Sequence, residues 1–278
     1  GEKMKTVCSV CHHQCSLEEG QTGYCRARKN EDGIIVCSNY GMATSIALDP
    51  IEKKPLKNFH PGSKILSVGS WGCNMGCEFC QNYRISMTDG EHVRSAFIPA
   101  EELVQIANDS KSEGNIGLAF TYNEPLISYE YILDCAHEAR KEDLKIIAVT
   151  NGCFTKETAE KVLPHIDALN IDLKSFNPLF YRKMKGDLEM VKEFIQFADT
   201  TSHVELTTLI VNGLNDEEAE MEQLASWVAS IDDEIPLHVS RFFPAWKMTE
   251  VPATPVEKVY KLADIARRYL KTVYTGNC

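Results

Sequence analysis

Long apolar runs are absent from this 278-residue sequence, and none approaches the roughly 20 residues that a membrane-spanning helix needs. An excess of cations is absent too. Lys and Arg number 29 against 40 Asp and Glu, a formal charge of −11. That balance repels phosphate backbones and anionic lipids, so no nucleic-acid or membrane partner is expected. No low-complexity tract or internal repeat occurs, which removes solenoid and linker readings. No apolar leader follows the opening GEKMKTVCSV, and the expected location is cytoplasmic. What remains is an ordinary soluble composition, 44% hydrophobic and 25% charged, with enough chain for one large domain and one small.

Cysteine is the residue in surplus, with eleven copies. In a reducing compartment, clustered cysteines point to metal or redox chemistry rather than to disulfides. Seven fall in two groups: Cys8, Cys11, Cys15 and Cys25, then Cys73, Cys77 and Cys80. Cys37, Cys135, Cys153 and Cys278 stand apart.

Residues 1–63 read as a small cysteine-rich N-terminal lobe, ending at the His60-Pro61-Gly62 punctuation. From 64 to 278 short apolar runs alternate with amphipathic stretches. Strands are expected at Lys64–Gly69, Ile116–Thr121, Lys145–Thr150, Ile166–Leu173, His203–Ile210, Pro236–Ser240 and Lys271–Tyr274. Helices are expected near 100–113, 126–142, 156–163, 187–199, 216–231 and 255–270. Pro99 precedes the first, Thr155 suits the cap of the third, and Asn215 with Asp216 suits the opening of the fifth. The alternation predicts parallel β/α units. A closed eight-stranded barrel takes roughly 250 residues, more than this stretch offers. The expected fold class is therefore α/β, a partial (β/α)6-type barrel with a doubly wound sheet as the alternative.

Directly after the first barrel strand comes Cys73-x3-Cys77-x2-Cys80. Gly72 and Gly76 permit the turns that aim three thiolates inward. A [4Fe–4S] cluster usually takes four cysteines, so three local ones leave one iron open to a small molecule. A zinc ion completed by a distant ligand is the alternative.

Active sites of α/β barrels gather at the C-terminal ends of strands. There the chain places Thr121-Tyr122-Asn123-Glu124-Pro125, Thr150-Asn151-Gly152-Cys153, Asp172-Leu173-Lys174, Thr207-Thr208 and His238-Val239-Ser240-Arg241. His238 and Arg241 are candidates for substrate or cofactor contact. Cys153 reads more simply as a small buried hydrophobe.

Cys-x3-Cys-x-aromatic-Cys, with Phe79 as the aromatic, resembles the signature of the radical S-adenosylmethionine (SAM) superfamily. The resemblance implies that SAM chelates the fourth iron of a [4Fe–4S] cluster held by Cys73, Cys77 and Cys80. Reductive cleavage then yields a 5′-deoxyadenosyl radical that abstracts hydrogen from substrate. Tyr122-Asn123-Glu124-Pro125 stands in the place of the family's Gly-Gly-Glu-Pro, which binds the SAM amino group; a carboxylate at Glu124 suits an ammonium. Asp172-Leu173-Lys174 and Thr150-Asn151-Gly152 resemble stretches beside SAM in glycyl-radical activating enzymes. In those enzymes an Asp precedes the Thr and helps hold a cation; here that position is Val149. The implied cofactor contacts are thus Phe79, Asn123, Glu124, Thr150, Asn151, Asp172 and Lys174, to which the strand-end position adds His238.

Over nearly the whole chain the sequence is similar to AmmeMemoRadiSam-system radical SAM enzymes, themselves similar to pyruvate formate-lyase activating enzymes. The carriers are the N-terminal Cys-x2-Cys-x3-Cys, Asp49 to Leu56, Gln81-Asn82, Thr121 to Pro125, Asn212 to Asp216 and Ser240-Arg241-Phe242. The family name implies Memo-type and AMMECR-type companions. The substrate, a small molecule or a protein, does not follow. A glycyl-radical activase and a non-catalytic iron–sulfur electron carrier are the competing readings. A carrier needs neither an open iron nor Glu124.

Cys8, Cys11, Cys15 and Cys25 supply four thiolates, enough to close a site for zinc or a second Fe–S cluster. His12 or His13 could replace one of them, although adjacent histidines usually face solvent. Radical chemistry also needs a low-potential donor of ferredoxin or flavodoxin type. Such acidic proteins dock on basic patches, for which Arg26, Arg28 and Lys29, or Lys53, Lys54 and Lys57, are the candidates.

Overall fold

The computed structural model describes residues 5–278. The apolar runs become one eight-stranded sheet. Its strands are β1 (Ser45–Pro50), β2 (Lys64–Gly69), β3 (Asn115–Phe120), β4 (Lys145–Thr150), β5 (Ala168–Asp172), β6 (His203–Ile210), β7 (Leu237–Arg241) and β8 (Val273–Gly276). They lie side by side in chain order, with no hydrogen bonding between β1 and β8 to close the ring. β2 to β8 are parallel, and only β1 runs antiparallel, on β2. Sequential order means every crossover turns the same way. The sheet is therefore a partial barrel, and the doubly wound alternative does not hold. β1 comes from the stretch read as the N-terminal lobe, so lobe and barrel share one sheet across residues 63 and 64.

Six long helices cover the outer face: α1 (Ala100–Asp109), α2 (Tyr129–Lys141), α3 (Lys156–Val162), α4 (Leu188–Thr201), α5 (Glu218–Ile231) and α6 (Val256–Ala266). In α1 the buried residues are Ala100, Leu103, Val104 and Ala107, the spacing of one helical face. Pro99 precedes α1 as expected, and the Thr155 hydroxyl caps α3 by accepting from Thr158 N. Asn215 and Asp216 do not cap α5, whose first turn follows Glu217. Asn215 is instead buried, and its amide donates to the carbonyls of Lys174 and Leu209. Its use is to tie the ends of β5 and β6 together. Among the described residues, no helix is long and apolar enough to cross a membrane.

Side chains alternate along each strand, so residues 205, 207 and 209 of β6 share the inner face with 238 and 240 of β7 and 170 and 172 of β5. They stack in levels. Thr207 donates to Asn170 Oδ1 at 2.9 Å in the middle. Below them lies Glu205, fully buried. Its carboxylate faces donors only: Asn58 N at 2.7 Å, Lys57 N at 3.1 Å, His203 Nε2 at 3.0 Å and His238 Nε2 at 2.5 Å. Asn170 also donates to Pro55 O at 2.8 Å. The segment Pro55 to Asn58 thus stoppers the N-terminal end of the barrel, with Leu56 and Ile51 fully buried against Ile65, Ala119, Ile147 and Ala168.

Burial alone would raise the Glu205 carboxyl, but the bonds from His203, His238 and the two backbone N–H groups outweigh it and hold it at about 2, below the ordinary 4.5. A carboxyl held down in the folded state stabilises above its unfolded value, and that contribution is lost as pH falls toward the folded one. Glu205→Gln turns an amide N–H toward four donors and should cost about 3 kcal/mol in urea unfolding at pH 7. The gap between variant and parent should narrow as pH falls from about 4.5 toward 2.

Candidate active site

At the opposite, C-terminal end of the strands lies an open cavity of about 290 Å³. Cys73, Cys77 and Cys80 share its wall with Glu124, Asp172 and Lys174. The cysteine loop leaves β2 through Trp71 and Gly72. Gly72 has a φ of +89°, and a Cβ there would lie 2.5 Å from Cys25 O. Gly76 serves differently from expectation. Its φ is not left-handed; its missing Cβ makes room for the Tyr24 hydroxyl, 2.6 Å from where that carbon would sit. Both glycines therefore let the N-terminal lobe lie against the loop.

All three thiols are held above their usual range. Burial is the chief cause at each, with Glu124 adding to it at Cys73. Cys77 stands at about 11, burial outweighing the nearby Lys174. Buried thiols facing one cavity become thiolates only when a cationic group compensates them. No three His, Cys, Asp or Glu side chains among the described residues close on one point as a single ion requires. The three sulfurs share one cavity wall with Glu124 and Lys174 and could together hold an iron–sulfur group there.

Glu124 is buried at the start of the turn after β3. It accepts from Thr150 Oγ1 at 2.7 Å, Asn151 N at 2.8 Å and Leu126 N at 3.0 Å. Burial raises its carboxyl to about 7, against the lowering effect of Asn151 N–H and Thr150. Thr150 and Asn151 thus orient the carboxylate at the cavity. Asn123 is spent on the loop: its Oδ1 accepts from Ser70 N, and its amide donates to the carbonyls of Trp71 and Gly72. Tyr122 adopts a φ of +75°, the conformation glycine would take more readily. Its hydroxyl donates to Asp49 at 2.7 Å, and Asp49 also pairs with the buried Lys54 at 2.8 Å. Asn82 donates to the Tyr122 carbonyl at 2.9 Å.

Asp172 and Lys174 both reach the cavity and pair at 2.8 Å. Burial works against the Lys174 ammonium, but Asp172 and Cys77 outweigh it and keep it charged. Phe79 lines the cavity from the loop, 6.1 Å from the Phe180 ring. Val149 also lines it and brings no carboxylate for a cation. His238 does not take part. It is one level down in the barrel, bonded to Glu205, while Ser240 occupies the cavity wall on β7.

Reading the sequence missed a brace under the loop. His12 and His13 turn inward rather than toward solvent. His13 Nε2 donates to Asn74 O at 2.8 Å, and a carbonyl can only accept, so Nε2 carries the proton. His12 Nε2 likewise donates to Lys185 O at 2.6 Å, which leaves Nδ1 to accept from the Cys153 thiol at 3.0 Å. The Asn74 amide donates to Cys153 O, and Asn151 donates to Asn74 Oδ1 while lying 3.7 Å from Cys73 Sγ. The adjacency of two histidines to Cys11 was the available signal, but nothing in it names their partners.

Cys8, Cys11, Cys15 and Cys25 gather in the lobe, where burial, with the other three thiols adding to it, lifts Cys11 to about 12. The proposed basic patches are only partly free. Arg28 is buried against Glu130 at 2.7 Å, Lys54 against Asp49, and Lys29 pairs with Glu31.

The sequence pattern of the Radical SAM superfamily matches residues 69–228, from the end of β2 through most of α5. An uncharacterized protein of Methanocaldococcus jannaschii is 38% identical over 98% of this chain and 81% of its own length. A putative glycyl-radical enzyme activating enzyme of that organism is 24% identical, over 73% of this chain and 85% of its own. GTP 3′,8-cyclase of Peptoclostridium acidaminophilum matches at 28% identity over 62% of this chain, which spans about half of that enzyme, 53%. In structure, a domain of pyruvate-formate lyase-activating enzyme from Bacteroides vulgatus superposes with a TM-score of 0.51 at 19% identity, covering 58% of this chain and 99% of that one. The matched stretch contains the three-cysteine loop, Glu124 and the strand ends around them, and on that ground the chain belongs to the radical SAM superfamily.

Proposed function

We propose that the protein cleaves SAM reductively at a [4Fe–4S] cluster on Cys73, Cys77 and Cys80, and directs the resulting radical at a substrate in the same cavity. One observation carries this reading: three thiols, an oriented carboxylate and a charged lysine share one cavity at the strand ends. The cluster, when bound, supplies an open iron and an electron at low potential. The chain's own residues do the rest. Glu124, held by Thr150 and Asn151, accepts from the SAM ammonium. Lys174 sets a positive charge beside Cys77 and, paired to Asp172, is fixed rather than mobile. The barrel below is plugged at Leu56 and Glu205, so access is from the C-terminal mouth alone.

For the substrate, the activase reading draws on the Asp172-Leu173-Lys174 stretch and on the name of the 24%-identical relative. A role in an AmmeMemoRadiSam system, with Memo-type and AMMECR-type companions, draws on the Asp49 to Leu56 motif. Incubating reduced enzyme and SAM with candidate glycyl-radical enzymes separates the two: an organic radical in the partner's EPR spectrum supports the activase, and its absence from every partner removes it. We also place a metal group on Cys8, Cys11, Cys15 and Cys25. Four thiols can close on either zinc or a second cluster: about eight irons per reconstituted chain would give the cluster, and about four with one zinc would give the ion.

Replacing Cys73, Cys77 and Cys80 together by Ala should remove about four irons and abolish 5′-deoxyadenosine, measured by chromatography after anaerobic reduction. Glu124→Gln should keep its iron but bind SAM roughly 10- to 100-fold more weakly in equilibrium dialysis, the loss of one charge-assisted hydrogen bond. His13→Ala should leave the far-ultraviolet dichroism unchanged and release iron faster to a chelator, because the Asn74 carbonyl loses its brace.

A further inference from the structure

About half of the described Lys and Arg side chains stand beside a carboxylate. Three that do not lie together beside the cavity mouth, each over an aromatic ring. Arg84 sits 5.9 Å from the centre of the Tyr83 ring, Lys247 4.5 Å from Trp246 and Arg241 4.8 Å from Phe243. Tyr83 and Trp246 stack in turn, 5.8 Å apart and 10° from parallel. Among the described residues none of the three cations has a carboxylate at ion-pair distance. The rim is rigidly joined to the cysteine loop. Lys247 N donates to Glu78 O, between Cys77 and Cys80, and Gln81 donates to Phe243 O. Phe243 is 42% exposed, so the platform faces outward.

We infer that this rim is the docking face for an acidic one-electron carrier protein of the flavodoxin type. The inference rests on the radical SAM reading above. Two features select the occupant. The chain's charge of −11 repels an acidic protein elsewhere, so a productive encounter needs a local patch of unpaired cations, and this rim is one. The rim is also bonded to the backbone between Cys77 and Cys80, so a carrier seated there lies against the loop that carries the three thiols. The carrier gives up one electron and is oxidised by one unit. With a cluster held on Cys73, Cys77 and Cys80, that one electron would split the S–C5′ bond of SAM into methionine and a 5′-deoxyadenosyl radical. The aromatic rings hold the cations in place at the rim. Nucleic acid is the competing occupant of a basic aromatic platform, but the negative field of the whole chain opposes it.

The test uses the full chain, reconstituted anaerobically, with Arg84→Glu and Lys247→Glu combined, and the matching double Gln variant as a milder control. Neither residue lines the cavity. With dithionite, a reductant too small to need docking, SAM cleavage should match the parent. With reduced flavodoxin as donor, kcat/KM should fall about tenfold or more in the Glu variant and less in the Gln variant. Binding of oxidised flavodoxin, followed by flavin fluorescence, should weaken in step and lose its dependence on salt. Equal binding and equal flavodoxin-driven rates in variant and parent would overturn the inference. So would a matching loss with dithionite, which would put the rim in the substrate site, or binding of a labelled oligonucleotide that depends on the same two residues. If the parent yields no 5′-deoxyadenosine even with dithionite, the radical reading fails instead, and the binding arm still decides the rim.

Discussion

A carboxylate with no exposed surface is tolerable only when every lone pair meets a donor. Glu205 meets that condition with two histidines and two backbone N–H groups drawn from three separate parts of the chain. The constraint reaches far. It fixes β6 against β7, and it pins Lys57 and Asn58 across the base of an open barrel that would otherwise admit water at both ends. With the base sealed, the levels above it are set in order: Asn170 and Thr207, then the cavity floor.

The upper end repeats the principle with a different outcome. Glu124 is also buried, and it too faces donors, from Thr150, Asn151 and Leu126. Yet its carboxyl rises to about 7, whereas Glu205 falls to about 2. Two imidazole partners make the difference. Glu124 has none, and it has Asp172 nearby to discourage its charge. A carboxylate short of positive partners is one that a cationic ligand can improve. The lower acid therefore holds structure together and the upper one is left with unmet demand.

Much of this was legible from the residues. The apolar runs marked all seven parallel strands, because strands buried on both faces read as nearly continuous hydrophobic stretches. The three cysteines, Glu124, Asp172 and Lys174 could be placed at one end of the barrel because each lies at or a few residues beyond the C-terminal end of a strand. His238 was misassigned for a definite reason. Alternation along a strand tells which side faces inward but not how deep a residue lies, and two positions separate the base from the mouth. Antiparallel β1 escaped notice because its Asp49-Pro50 end and half-exposed faces carry no strand pattern. His12 and His13 escaped because their partners, Lys185, Cys153 and Asn74, are distant in sequence. Arg28 and Lys54 looked like surface charge, since composition cannot show that Glu130 and Asp49 neutralise them in the interior.

The contact of Gly72 with the Cys25 carbonyl ties the N-terminal cysteine lobe and the three-cysteine loop into one mechanical unit. The backbone that presents Cys25 to the lobe is the same backbone that walls in the three-cysteine loop. Packing therefore couples them: a change that loosened the lobe would leave Trp71 to Gly76 without its outer support, and disorder among the N-terminal thiols would reach the barrel mouth through this one contact.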